Sequence, residues 1–137
     1  MKILILGAGR VGSSLASTLS RQEYEVSIVD LNKDKLLKLQ EDYDLATEIG
    51  HASHPITLER AGADENTILI AVTNSDECNI TSCQIAKSKF NVKKTICRLS
   101  DSSYLESLEA FGKNNIDIAI GPENEVTEHL VDLIKHP

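Results

Sequence analysis

Three glycines stand in the hexapeptide Gly7-Ala8-Gly9-Arg10-Val11-Gly12, between the apolar run Ile3-Leu4-Ile5-Leu6 and a stretch of helical period, and Asp30 closes a second apolar run 18 residues beyond Gly12. An apolar run that passes through glycines straight into a helix opens a βαβ unit, which restricts the chain to folds built on a parallel sheet. Each glycine has its own physical use. Gly7 allows the tight turn out of the strand, Gly9 lets bare backbone approach a pyrophosphate, and Gly12 lets the helix pack closely on the sheet. The first N–H groups of that helix have no backbone acceptor, so they and the helix dipole suit an anion. Asp30 stands where a carboxylate at a strand end accepts bonds from both ribose hydroxyls. The loop residues Gly7, Ala8, Gly9, Arg10, Val11 and Gly12, together with Asp30, are therefore read as a site for an adenine nucleotide. The same hexapeptide has the spacing of a triphosphatase phosphate loop, but Ser13 stands where that loop needs a lysine.

Apolar, β-branched runs alternate with stretches of helical period along the whole chain, the mark of a parallel sheet with crossover helices. The runs are Lys2–Leu6, Glu25–Asp30, Leu45–Ile49, Thr67–Thr73, Thr95–Leu99 and Asp117–Ile120. They predict a Rossmann-like, doubly wound α/β fold: a six-stranded parallel sheet in three α/β/α layers, with a C-terminal helix. Val11, Leu15, Ala16 and Leu19 share one helix face, and Leu36, Leu39 and Tyr43 another on a helix capped by Asn32. Ser75 is the expected N-cap of a helix starting at Asp76. A further helix starts at Asp101, carries the stripe Tyr104, Leu105, Leu108 and Phe111, and stops at Gly112. The segment Pro122–His136 reads as one last helix, with Glu123 and Glu125 suiting its N-terminal dipole and Val126, Leu130, Leu133 and Ile134 as its apolar stripe. That stripe suits either its own sheet or a second subunit.

Length fits a single domain spanning 1–137 and leaves no room for a separate catalytic domain. A net charge of −7 with dispersed Lys and Arg argues against nucleic acid, which calls for a basic stripe. Cys78, Cys83 and Cys97 are odd in number and lack a zinc-like spacing, so reduced thiols in a cytosolic protein are expected rather than a disulfide framework, with Cys78 and Cys83 filling the core from the helix after Asn74. His51 and His54 form an HxxH, but no further ligand in a convincing spacing completes a metal site, so no metal is expected. No stretch approaches 18 apolar residues.

With Gly50-His51-Ala52-Ser53-His54-Pro55 after the third run and Ala71-Val72-Thr73-Asn74-Ser75-Asp76 after the fourth, nearly the whole chain resembles the RCK N-terminal (TrkA-N) family of nucleotide-binding domains that regulate potassium conductance. The resemblance implies that Gly7, Gly9, Arg10 and Gly12 hold phosphates, Asp30 the adenosine ribose, Thr73 and Asn74 the flank of the ligand, and Arg98 a phosphate or a second nucleoside. Elementary topology agrees, because Gly50 and His51, Thr73 and Asn74, and Arg98 follow or end the third, fourth and fifth runs, and ligands bind at the carboxyl ends of such strands. In the family it resembles, an arginine at position 10 suits the third phosphate of ATP as well as a dinucleotide, so both NAD(H) and ATP/ADP stay open. A 2′-phosphate about 4 Å from Asp30 would cost on the order of 4 kcal/mol at an effective dielectric of 20, which disfavours NADP(H). Leu31 and Asn32 supply no cation to offset it, and Lys33 is expected to turn away.

The resemblance further implies a regulatory subunit rather than an enzyme: a homo-oligomer, either a dimer or a ring of dimers, cytoplasmic and peripheral to the inner membrane through a potassium-translocating Trk membrane subunit. The competing expectation is an NAD-dependent oxidoreductase or its isolated cofactor-binding domain. Against it, no Tyr-xxx-Lys pair or His–carboxylate relay is evident.

Overall fold

The computed structural model describes residues 1–112, 115–125 and 127–135. Its elements are β1 (Lys2–Leu6), α1 (Arg10–Ser20), β2 (Glu25–Asp30), α2 (Lys33–Asp42), β3 (Ala46–Ile49), α3 (Pro55–Arg60), β4 (Thr67–Ala71), α4 (Asp76–Phe90), β5 (Lys94–Arg98), α5 (Ser102–Glu106), α6 (Leu108–Phe111), β6 (Ile118–Ile120), a 3-10 turn (Pro122–Asn124) and α7 (Thr127–Lys135). All six strands pair in parallel in the order β3-β2-β1-β4-β5-β6. The chain winds outward from β1 to β3, returns, and winds the other way from β4 to β6. The loops after β1 and β4 therefore diverge and leave a crevice at the carboxyl edge.

The strands can be buried on both faces because their residues are apolar at successive positions. In β1, Ile3 and Ile5 join one core with Leu15, Ala16 and Leu19 of α1, Leu36 and Leu39 of α2, and Leu130, Val131 and Ile134 of α7. Leu4 and Leu6 point to the other face, into a core with Leu58 of α3 and Ile80, Cys83 and Ala86 of α4. Alternation along each strand thus builds two cores on one sheet. Burying each such Ile or Leu contributes roughly 1.5–3 kcal/mol.

The predicted fold class is the observed one, and Asn32 and Ser75 cap α2 and α4 as expected, accepting from Asp34 and Lys35 N–H and from Cys78 N–H. Three local expectations are corrected. The helix from Asp101 breaks at Ser107 into α5 and α6, where Ser107 N–H is shared between the Ser103 and Tyr104 carbonyls. A short helix, α3, forms where no helix is read in the sequence, with Pro55 supplying its first residue. The segment from Pro122 is not one helix: Glu125 sits at φ −84°, ψ 19° between the 3-10 turn and α7, with its side chain drawn to Arg98. Val126 and His136 of that segment lie outside the described residues. The described part of α7 covers its own sheet, and Lys94 of β5 donates to the Leu133 carbonyl at 2.7 Å.

Candidate functional site

The glycine loop is built by backbone geometry. Gly7 has φ +108°, a conformation that side chains rarely adopt, and a Cβ at Gly12 would lie 1.8 Å from the Gly7 carbonyl oxygen. A Cβ at Gly9 would meet nothing within 4 Å among the described residues beyond its chain neighbours. Gly7 and Gly12 are thus demanded by the protein's own packing, whereas Gly9 faces open space. Gly9 is the N-cap of α1 and has no capping side chain. Its carbonyl accepts the first helical bond, from Ser13 N–H at 2.9 Å, and the amides of Arg10, Val11 and Gly12 have no acceptor among the described residues. They leave an unsatisfied helix N-terminus of the kind that suits an anion.

Asp30 ends β2 beside this loop. One carboxylate oxygen accepts Ala8 N–H at 2.7 Å and the other accepts Asn32 N–H at 2.7 Å. Two backbone donors therefore fix the carboxylate plane, and each oxygen keeps a lone pair for a further donor. Backbone bonds from Gly7 N–H to Val29, Val72 N–H to Leu6 and Gly50 N–H to Asp30 tie neighbouring strand ends together and carry the register into the loops.

On the far side, Asn79 of α4 is fully buried and organises two loops at once. Its Oδ1 accepts from Thr73 N–H at 3.0 Å and the Thr73 hydroxyl at 2.6 Å, and its Nδ2 donates to the carbonyls of Thr73 and Arg98 at 3.1 and 3.0 Å. Asp76 does the same for the loop after β5, accepting Ser100 N–H at 2.9 Å and Asp101 N–H at 2.8 Å. Arg98 leaves β5 toward the crevice and pairs with Glu125.

These elements enclose a cavity of about 690 Å³, large enough for a nucleotide. Ten sequence candidates line it: Gly7, Gly9, Arg10, Val11, Asp30, Gly50, His51, Thr73, Asn74 and Arg98. Ala8 and Gly12 are not on its wall. Ala8 is buried with its amide committed to Asp30, and Gly12 packs on Gly7. His51 stacks on His54, ring centroids 4.4 Å apart, and its Nδ1 is within 3.0 Å of the Ser53 hydroxyl. Cys83 and Cys97 are fully buried. A hydrogen bond with Cys97, and then burial, push the Cys83 thiol well above its ordinary value, which suits inert packing.

Sequence reasoning missed four residues. Asn79 leaves a trace, a polar residue on the face of α4 shared with Cys83 and Ala86. In the sequence Asp76 reads only as the first residue of a helix, and Glu125 only as a partner of the helix dipole, though it faces Arg98. Lys35 lines the cavity wall where no cation was expected near Asp30, and Lys33 does not.

Residues 3–122 match the family model of the TrkA-N domain. The chain is 44% identical to the Trk system potassium uptake protein TrkA of Vibrio alginolyticus, over 100% of this chain and 31% of that protein. It spans about a third of the length of the bacterial relatives of that name. Among solved structures, the TrkA-N domain of inner membrane protein ybaL from Escherichia coli superposes with TM-score 0.75 at 20% identity, covering 97% of this chain and 96% of that one. The GsuK channel bound to NAD does so with TM-score 0.69 at 19% identity, over 87% of this chain and 21% of that one. At these identities the superpositions speak for the fold.

Proposed function

The chain belongs to the TrkA-N domain family, and on that premise we propose that it is the nucleotide-sensing part of a cytoplasmic regulatory subunit of a Trk-type potassium uptake system. The observation that carries this reading is the free N-terminus of α1 beside the doubly anchored carboxylate of Asp30, both facing one nucleotide-sized cavity. The Arg10 and Val11 amides would meet the diphosphate, Asp30 the adenosine ribose, and Thr73, Asn74 and Arg98 whatever lies beyond the second phosphate. Gly50 and His51 would border the adenine end. NAD(H) is the favoured ligand and ATP or ADP the alternative at the same site.

No chemistry is required of such a site. A nucleotide regulates by binding two arrangements of the protein with different affinity, and a coupling of about 1–3 kcal/mol is typical of such devices. The two arrangements would belong to a dimer or ring of dimers seated on the potassium-translocating membrane subunit. The test is calorimetry with NADH, NAD⁺, ATP and ADP. Saturable one-to-one binding of at least one of them is expected, and a chain that binds none overturns the reading. Catalytic oxidation of NADH with a defined small substrate would favour an oxidoreductase instead.

A further inference from the structure

The two arginines of the cavity are in different electrostatic states. Arg98 is matched: its Nε donates to Glu125 Oε1 at 2.5 Å, its Nη2 to Oε2 at 3.5 Å, and its Nη1 to the Thr73 carbonyl at 3.4 Å. The side chains of Glu125 and Arg98 are 9% and 20% exposed, so water screens the pair little. Arg10 is exposed and has no hydrogen-bond or ion-pair partner among the described residues. It lines both the nucleotide cavity and a second one of about 620 Å³ between α1 and α7, whose wall includes Glu125.

A ligand with its ribose at Asp30 on β2 and its diphosphate at α1 over β1 continues toward β4 and β5, each strand about 4.8 Å further on. The next group, a third phosphate or a second nucleoside, arrives near Arg10, Thr73 and Arg98. We propose that Glu125 is the specificity-determining residue for that group: by neutralising Arg98 it sets the site against a third phosphate and in favour of an uncharged nucleoside. This rests on the nucleotide-binding reading above and deepens it. A phosphate approaching Arg98 meets a compensated cation and a held carboxylate. It must either expel Glu125, leaving a poorly solvated charge unpaired, or forgo Arg98. A ribose has no such conflict, since its hydroxyls can donate to the lone pairs that Glu125 retains.

The test measures dissociation constants for ATP, ADP and NADH in wild type, Glu125→Gln, Arg98→Gln and the double variant, each checked for folding by circular dichroism. Glutamine keeps the size of Glu125 and an oxygen for Arg98 but removes the charge. The preference for ATP over ADP should rise about tenfold in Glu125→Gln, the scale of one unit charge in a partly screened site. It should fall by about as much in Arg98→Gln, which leaves Glu125 unmatched, and return near wild type in the double variant, all by the same charge arithmetic. A ratio unmoved in both single variants, or lowered in Glu125→Gln, overturns the proposal while nucleotide binding stands. A wild type that binds no nucleotide overturns the binding reading and this inference with it. One measurement needs no variant to fold well: by ¹⁵N NMR the Arg98 Nε–H of the free wild-type protein should be protected from exchange, and an unprotected signal overturns the masking itself.

Discussion

A carboxylate held by two backbone amides, as Asp30 is by Ala8 and Asn32, is oriented before any ligand arrives, so it can accept sugar hydroxyls without reorganising. Replacing Asp30 with Ala should weaken both NADH and ATP by about 1.5–3 kcal/mol in calorimetry, the value of hydrogen bonds to a charged group. Equal affinities in the variant would remove Asp30 from the site. The glycines separate fold from function in the same loop. Gly12→Ala puts a methyl 1.8 Å from the Gly7 oxygen, and the backbone shift should destabilise the protein by about 1–3 kcal/mol or more in denaturant titration. Gly9→Ala meets no atom within 4 Å among the described residues other than its chain neighbours. Its stability should move by less than about 1 kcal/mol, within the range of cap substitutions, while nucleotide affinity drops because the methyl fills ligand space. The glycine spacing was legible in the sequence. That Gly12 serves packing and Gly9 serves open space was not, because both depend on which atoms lie opposite.

At the scale of elements, α4 does more than cover the sheet. Its first turns carry Ser75, Asp76 and Asn79, and these three bind, respectively, their own helix amide, the loop after β5, and both Thr73 and Arg98. The loops after β4 and β5 are thus set by one helix terminus. Asn79→Ala should orphan the Thr73 amide and the Arg98 carbonyl at a cost of about 1–3 kcal/mol for each group left unpaired. Thermal denaturation reads the loss, and an unchanged melting temperature would mean that water replaces the amide. Most helices were readable from caps and apolar stripes, and Asn32 and Ser75 do cap, but the short α3 was not. Breaks were not: Ser107 interrupts a stripe whose residues Tyr104 and Phe111 still meet edge to face, 5.8 Å between centroids. Glu125 lies between the 3-10 turn and α7, paired with a residue 27 positions away in sequence.

The whole molecule places its candidate site at the carboxyl edge of the sheet and its simplest electrostatic anchor at the opposite edge. There Lys2 donates to the Gly62 carbonyl at 2.7 Å and to Asp64 at 3.1 Å. The Asn66 amide first, and Lys2 next, hold the Asp64 carboxyl below its ordinary value of 3.8. A depressed carboxyl contributes its stability above the unfolded value and loses it as the pH falls through the folded one. Denaturant titrations should therefore show wild type losing stability more steeply than Asp64→Asn as the pH falls below 3.8, with nucleotide affinity at neutral pH alike in both. Parallel slopes would mean that the contact is equally present in the unfolded chain. The sequence by itself determined the parallel doubly wound sheet, the glycine loop and the acid at the end of β2, because these follow from residue types at short, regular spacing that no long-range contact needs to confirm. Only the tertiary structure decided which of two arginines lacks a side-chain partner among the described residues, which polar side chains of α4 turn inward, and that the described part of α7 returns over its own sheet, because each depends on contacts between residues of different elements.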